Sequence, residues 1–83
     1  MQKLTPIRRR NWRVHERAYG FDYYYKSGED NYIAIYPAVI NDYYQVSVHS
    51  NNLRRLDKRF KSAGQANAYA KKVMKSIEAV VNL

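Results

Sequence analysis

Residues 62–81 read SAGQANAYAKKVMKSIEAVV, and this stretch decides the fold. Ser62 to Gln65 fits the S-x-x-Q capping box. In that box a hydroxyl at the helix start accepts from the N–H three residues on, and the glutamine reaches back. Behind it, Ala66, Tyr69, Ala70, Val73, Met74, Ile77, Val80 and Val81 recur at helical spacing. At about 100° per residue they share one side of a helix, with Lys71, Lys72 and Lys75 opposite. The spacing predicts one amphipathic helix over 62–80. Its apolar stripe needs a second layer to bury it.

The sequence before the helix supplies that layer. Tyr43 to His49 alternate with period two, placing Tyr44, Val46 and Val48 on one face and Tyr43, Gln45, Ser47 and His49 on the other. Residues 32–36 alternate likewise and stop at Pro37. Residues 21–26 are rich in aromatic strand formers and end in the turn residues Ser27, Gly28, Glu29, Asp30 and Asn31. Further turns are expected around Asn41-Asp42 and over Ser50-Asn51-Asn52. Residues 56–60 read as a short strand and 11–18 as a weaker one. The expectation is a single α+β domain over 1–83. It has an antiparallel sheet of three to four strands, and the C-terminal helix packs on one face. Phe21, Tyr23, Ile33, Ile35, Tyr44, Val46 and Val48 would face the helix. Tyr24, Tyr32, Tyr36 and Tyr43 would share the far face with Gln45. Residues 1–10 read as a flexible basic arm.

Length and composition bound the functions. The chain has 83 residues, 46% of them hydrophobic, enough for one modest core. It contains no cysteine, which excludes disulfides, thiol catalysis and Cys-based zinc sites. No apolar run approaches about 18 residues, so no membrane span is expected. Residues 1–13 lack the apolar stretch of about 7–15 residues of a secretory leader, and a cytoplasmic protein is the default. His15 and His49 are the only histidines, and neither falls in a metal-ligand or triad pattern. Each reads as a surface strand residue. Glu29 and Asp30 adjoin as turn residues, and Gly20, Gly28 and Gly64 stand apart and form no phosphate loop. Neither an enzyme, a metal nor a cofactor is expected.

The net charge of +8 is uneven. Residues 1–17 carry +5 and 53–83 carry +6, around a −3 centre that holds eight of the nine tyrosines. The run Arg8, Arg9, Arg10, Asn11, Trp12, Arg13 places four guanidiniums and an indole within six residues, and guanidinium forks match phosphate oxygens. Arg54, Arg55, Lys58, Arg59 and Lys61 form a second cluster before the helix N-terminus. The far-face tyrosines offer stacking or interface surface, although tyrosine also serves simply as a good strand former.

The segments Tyr43 to Val48, Arg54 to Lys58, Arg59 to Ser62 and Ala66 to Ala70 resemble the arm-binding, AP2-like N-terminal DNA-binding domains of phage integrases. The resemblance covers about residues 30–78. It implies a three-stranded sheet lying in the DNA major groove, with Tyr32, Tyr36, Tyr43, Gln45 and Ser47 toward DNA. Arg54, Arg55, Lys58 and Arg59 would then lie on phosphates. Standing without a recombinase, the chain also looks like a small phage or mobile-element protein. Such proteins often bind and inhibit host machinery, anti-CRISPR proteins among them. Two functions are therefore expected. The leading one is nucleic-acid binding, with DNA ahead of RNA. The alternative is a phage-encoded inhibitor that binds a host nucleic-acid-processing protein through the tyrosine face. A homodimer through an edge strand, 21–26 or 56–60, suits either.

Overall fold

A computed structural model of the chain describes residues 4–17, 22–36, 43–50 and 53–81; for 53–56, 80 and 81 it describes the backbone alone. Five strands precede one helix: β1 (Arg13–Glu16), β2 (Tyr23–Ser27), β3 (Asn31–Tyr36), β4 (Tyr44–Ser50), β5 (Leu53–Phe60) and α1 (Ala63–Val81). The strands form one antiparallel sheet in chain order, an up-and-down meander. The α+β architecture is as the sequence predicts, but the strand count is five. Both weak strands are real: β1 occupies part of 11–18, and β5 is the longest strand, with eight residues. β5 breaks the period-two rule because it carries a register shift opposite Val48 and Ser50, which scrambles the alternation in sequence.

The turn between β2 and β3 needs Gly28, whose φ is +65°. The predicted turns at Asn41-Asp42 and Asn51-Asn52, and Phe21 as a core residue, lie outside the described residues.

The helix begins with the Ser62 half of its capping box. The Gln65 N–H donates to Ser62 Oγ at 3.1 Å, and the Ala66 N–H closes the first turn on the Ser62 carbonyl. Ala66, Ala70, Val73, Met74 and Ile77 are buried, while Lys71, Lys72 and Lys75 are exposed. The side chains of Val80 and Val81 lie outside the described residues. The helix packs on β3, β4 and β5, against Ile33, Ile35, Val46 and Val48.

One helix cannot cover this sheet. Five strands span about 19 Å at about 4.8 Å spacing, and a helix with side chains is about 10–12 Å wide. The remaining width over β1 and β2 is closed by residues 4–12. Ile7 and Trp12 join the core, and Leu4 packs against it. The Ile7 N–H donates to the Tyr25 hydroxyl at 3.0 Å, and the Tyr23 hydroxyl donates to the Leu4 carbonyl at 3.2 Å. Asn67 of α1 donates to the Thr5 carbonyl, and Arg9 Nε meets Glu78 Oε2 at 2.9 Å. Residues 4–10 are thus part of the packed layer and not a free arm. Leu4 and Ile7 fill the gap that the helix leaves over β1 and β2.

Candidate nucleic-acid interface

Strand pairing sorts the side chains into two sets. Toward the helix lie Val14, Tyr25, Ile33 and Val48 in one row, and Tyr23, Ile35 and Val46 in the next. Tyr25 is wholly buried, and burial pushes its phenol pKa up to about 12, against the smaller lowering effect of the Ile7 hydrogen bond. Tyr23 is raised chiefly by burial as well, and the carboxylates of Glu16 and Asp22 add to it. These tyrosines are core residues with an anchored hydroxyl.

The far face has its own order. In one row Arg13, Lys26, Tyr32 and His49 pair across four strands; in the next, His15, Tyr24, Ala34, Ser47 and Asp57 pair across five. The rings make a continuous ladder. His15 and Tyr24 are tilted with centroids 6.0 Å apart, Tyr24 and Tyr32 are stacked at 5.5 Å, and Tyr32 and His49 are stacked at 4.8 Å. Both faces of the Tyr32 ring are therefore occupied by neighbouring rings. The ladder turns its ring edges outward, with His15 and His49 exposed at its ends, and a base could stack only at those ends.

Beside the ladder runs a polar relay. Arg59 Nε donates to Gln45 Oε1, and Gln45 Nε2 donates to Ser47 Oγ, each at 3.3 Å. Ala34, between ladder and relay, and Ser47, the last member of the relay, are buried although no described helix covers this face. An open cleft of about 610 Å³ flanks the ladder at its β1 end, lined by Asn11, Arg13, His15, Tyr24, Lys26, Gly28 and Glu29.

The residues expected at a site are divided between the two faces. Tyr24 and Tyr32 form the centre of the ladder. Tyr36 pairs with Gln45 in register, about 13 Å along β3 from Tyr32. Tyr43, 41% exposed, precedes β4. Trp12 is buried in the core and is not available to a ligand. Arg8 and Arg10 are exposed on the helix-side segment, Arg9 is tied to Glu78, and Arg13 alone of the run reaches the ladder face. The second cluster also divides. Lys58 lies over the Tyr69 ring at 5.0 Å on the helix side, Arg59 is on the ladder face, and Lys61 is exposed beside the helix start. The side chains of Arg54 and Arg55 lie outside the described residues. Arg13 and Arg59 stand on opposite edge strands, about 19 Å apart across the sheet.

His15, His49 and Lys26 are the components that sequence reasoning left out. Each stands at an alternating strand position with the far-face tyrosines. Only the cross-strand register shows that they adjoin. Among the described residues no three His, Asp or Glu gather into a metal site, and no described helix is long and apolar enough to cross a membrane. No protein-family model, no curated protein and no solved structure matches the chain.

Proposed function

We propose that this protein binds single-stranded nucleic acid across the uncovered face of its sheet. The observation that carries the reading is the four-ring ladder of His15, Tyr24, Tyr32 and His49, with Arg13 and Lys26 beside its β1 end. Phenol and imidazole rings in a row suit the sugars and phosphates of a strand, and the cations add phosphate affinity. Width favours a single strand over a duplex as the partner. A three-stranded sheet spans about 10 Å and enters a major groove about 12 Å wide, whereas five strands span about 19 Å. The net charge of +8 favours such a partner at long range.

The test is fluorescence anisotropy with labelled single-stranded and duplex oligonucleotides over a salt series. Single strands should bind more tightly, with affinity falling as salt rises. Tyr32→Ala should weaken binding severalfold, because it breaks the ladder in the middle and removes a phenol that can contribute about 0.5–1.5 kcal/mol by hydrogen bonding. Absence of binding to either probe at low salt would remove the proposal. A second reading, an inhibitor seated on a host protein through this face, is favoured by the mutual stacking of the rings, which leaves edges rather than faces outward. It predicts nuclease-resistant capture of one protein from lysate, lost in Tyr32→Ala.

A further inference from the structure

We infer that the cleft at the β1 end of the ladder is a site for one nucleotide unit bearing a 5′-phosphate, with the phosphate on Arg13 and Lys26 and the base against His15 and Tyr24. The inference rests on the nucleic-acid reading and specifies where and how a strand is held.

Charge placement is the first argument. Arg13 and Lys26 are direct cross-strand partners on one face. Like charges opposite each other destabilise a strand pair, and an anion between them reverses the sign of that interaction. Neither makes an ion pair with a described residue; Arg9, by contrast, is tied to Glu78. A guanidinium fork beside an ammonium is a donor set for the oxygens of a phosphate monoester.

Ring geometry is the second. Along the ladder the two stacked pairs close on each other, but at this end His15 and Tyr24 are tilted by 55° with centroids 6.0 Å apart. Among the described residues no strand lies beyond the outer side of the His15 ring, since β1 is the sheet edge. A base therefore finds here an aromatic surface that Tyr32 cannot supply. Size is the third argument. The cleft holds about 610 Å³, within the range of about 300–1,000 Å³ of small-ligand sites. Asn11 adds an amide that can both donate and accept. Glu29 shares the cleft and repels the anion, so the phosphate sits toward Arg13 and away from the β2–β3 turn.

The experiment is a titration of the whole chain followed by NMR, with adenosine 5′-monophosphate, adenosine and inorganic phosphate as probes. Oligonucleotides with and without a 5′-phosphate form a second arm. The monophosphate should bind more tightly than either fragment and shift the signals of Arg13, His15, Tyr24 and Lys26. Arg13→Ala and Lys26→Gln should each weaken it about tenfold, the effect of losing one charge-assisted contact. Arg59→Ala on the opposite edge should leave it unchanged, and Glu29→Gln should tighten it severalfold. The 5′-phosphorylated oligonucleotide should outcompete its unphosphorylated twin. Circular dichroism melts check that the variants are folded. If oligonucleotides bind but the monophosphate does not, the 5′-phosphate is indifferent and Arg13→Ala behaves as Arg59→Ala, this inference falls and the nucleic-acid reading stands. If no probe binds at all, both fall together.

Discussion

Tyr24 and Tyr25 are neighbours on β2 and lie on opposite faces of it. Tyr25 points under the N-terminal segment, is wholly buried, and accepts a hydrogen bond from the Ile7 N–H. Tyr24 points to the uncovered face and becomes the second rung of a ring ladder. The same side chain thus serves as a pinned core residue on one side and as a surface element on the other. The difference is one residue of strand parity. Composition therefore overstates a tyrosine surface here: Tyr23, Tyr25 and Tyr44 belong with the core. The face that remains is narrower but ordered, because its rings are fixed against one another before any ligand arrives.

The covered face should dominate stability. Ile35→Ala or Met74→Ala opens a cavity in the fully buried cluster and should cost about 2–5 kcal/mol. Against a total of about 4–12 kcal/mol for a domain of this size, chemical denaturation would show a large loss of midpoint. An equally small loss for Ile35→Ala and for Tyr32→Ala would break the contrast between the faces. Next in size is Tyr25→Phe, which leaves the Ile7 N–H without its acceptor and should cost about 1–3 kcal/mol. The same hydroxyl sets an alkaline limit. Its folded pKa, about 12, lies above the unfolded value of 10.0, so the folded state holds a proton that the unfolded state releases. Tyr25's contribution is complete below about pH 10 and is lost as pH rises toward about 12. Denaturation midpoints measured across that window should fall more steeply for the wild type than for Tyr25→Phe.

How much of this was legible follows from which signals are local. The helix was readable to within a residue, because its capping box and 3.6-residue stripe are contained in one segment. The centres of β3 and β4 were readable from alternation, and that of β2 from its aromatic strand formers and the turn that follows. β5 was shortened because a register shift opposite Val48 and Ser50 hides its alternation. The N-terminal segment was misassigned because its Arg-rich run outweighed Ile7 and Trp12, and their burial depends on a sheet wider than the helix above it. The ladder was half legible. Alternation places Tyr24 and Tyr32 on one face, but only strand pairing brings His15 and His49 beside them.

The uncovered face should show the reverse balance, with little stability at stake and most of the binding. Tyr32→Ala removes two ring contacts, worth about 0.2–1 kcal/mol each, so a loss of about 1 kcal/mol is expected in denaturation. Tyr32→Phe keeps the stack and should retain nearly all of that stability, while removing the hydroxyl offered to a ligand. If Phe weakens binding as much as Ala, the hydroxyl edge carries recognition; if Phe binds as wild type, the ring does.

The smallest effect compares two arginines four residues apart. Arg9 meets Glu78 at 2.9 Å, with side chains 31% and 18% exposed, and ties the N-terminal segment to the helix. A partly exposed pair of this kind contributes about 0.5–1 kcal/mol at low salt, and less at about 1 M salt, where the screening length is about 3 Å. A double-mutant cycle with Arg9→Ala and Glu78→Ala in thermal melts should recover that coupling and its salt dependence. Arg13→Ala should do the opposite. It removes a like charge across from Lys26, so the melt should hold or rise slightly while phosphate binding falls. Stability carried by Arg9 and affinity carried by Arg13 would show that one basic run is divided between structure and recognition by the face each residue occupies. Equal stability losses for both would show that Arg13 is held by contacts of its own and that the division is wrong.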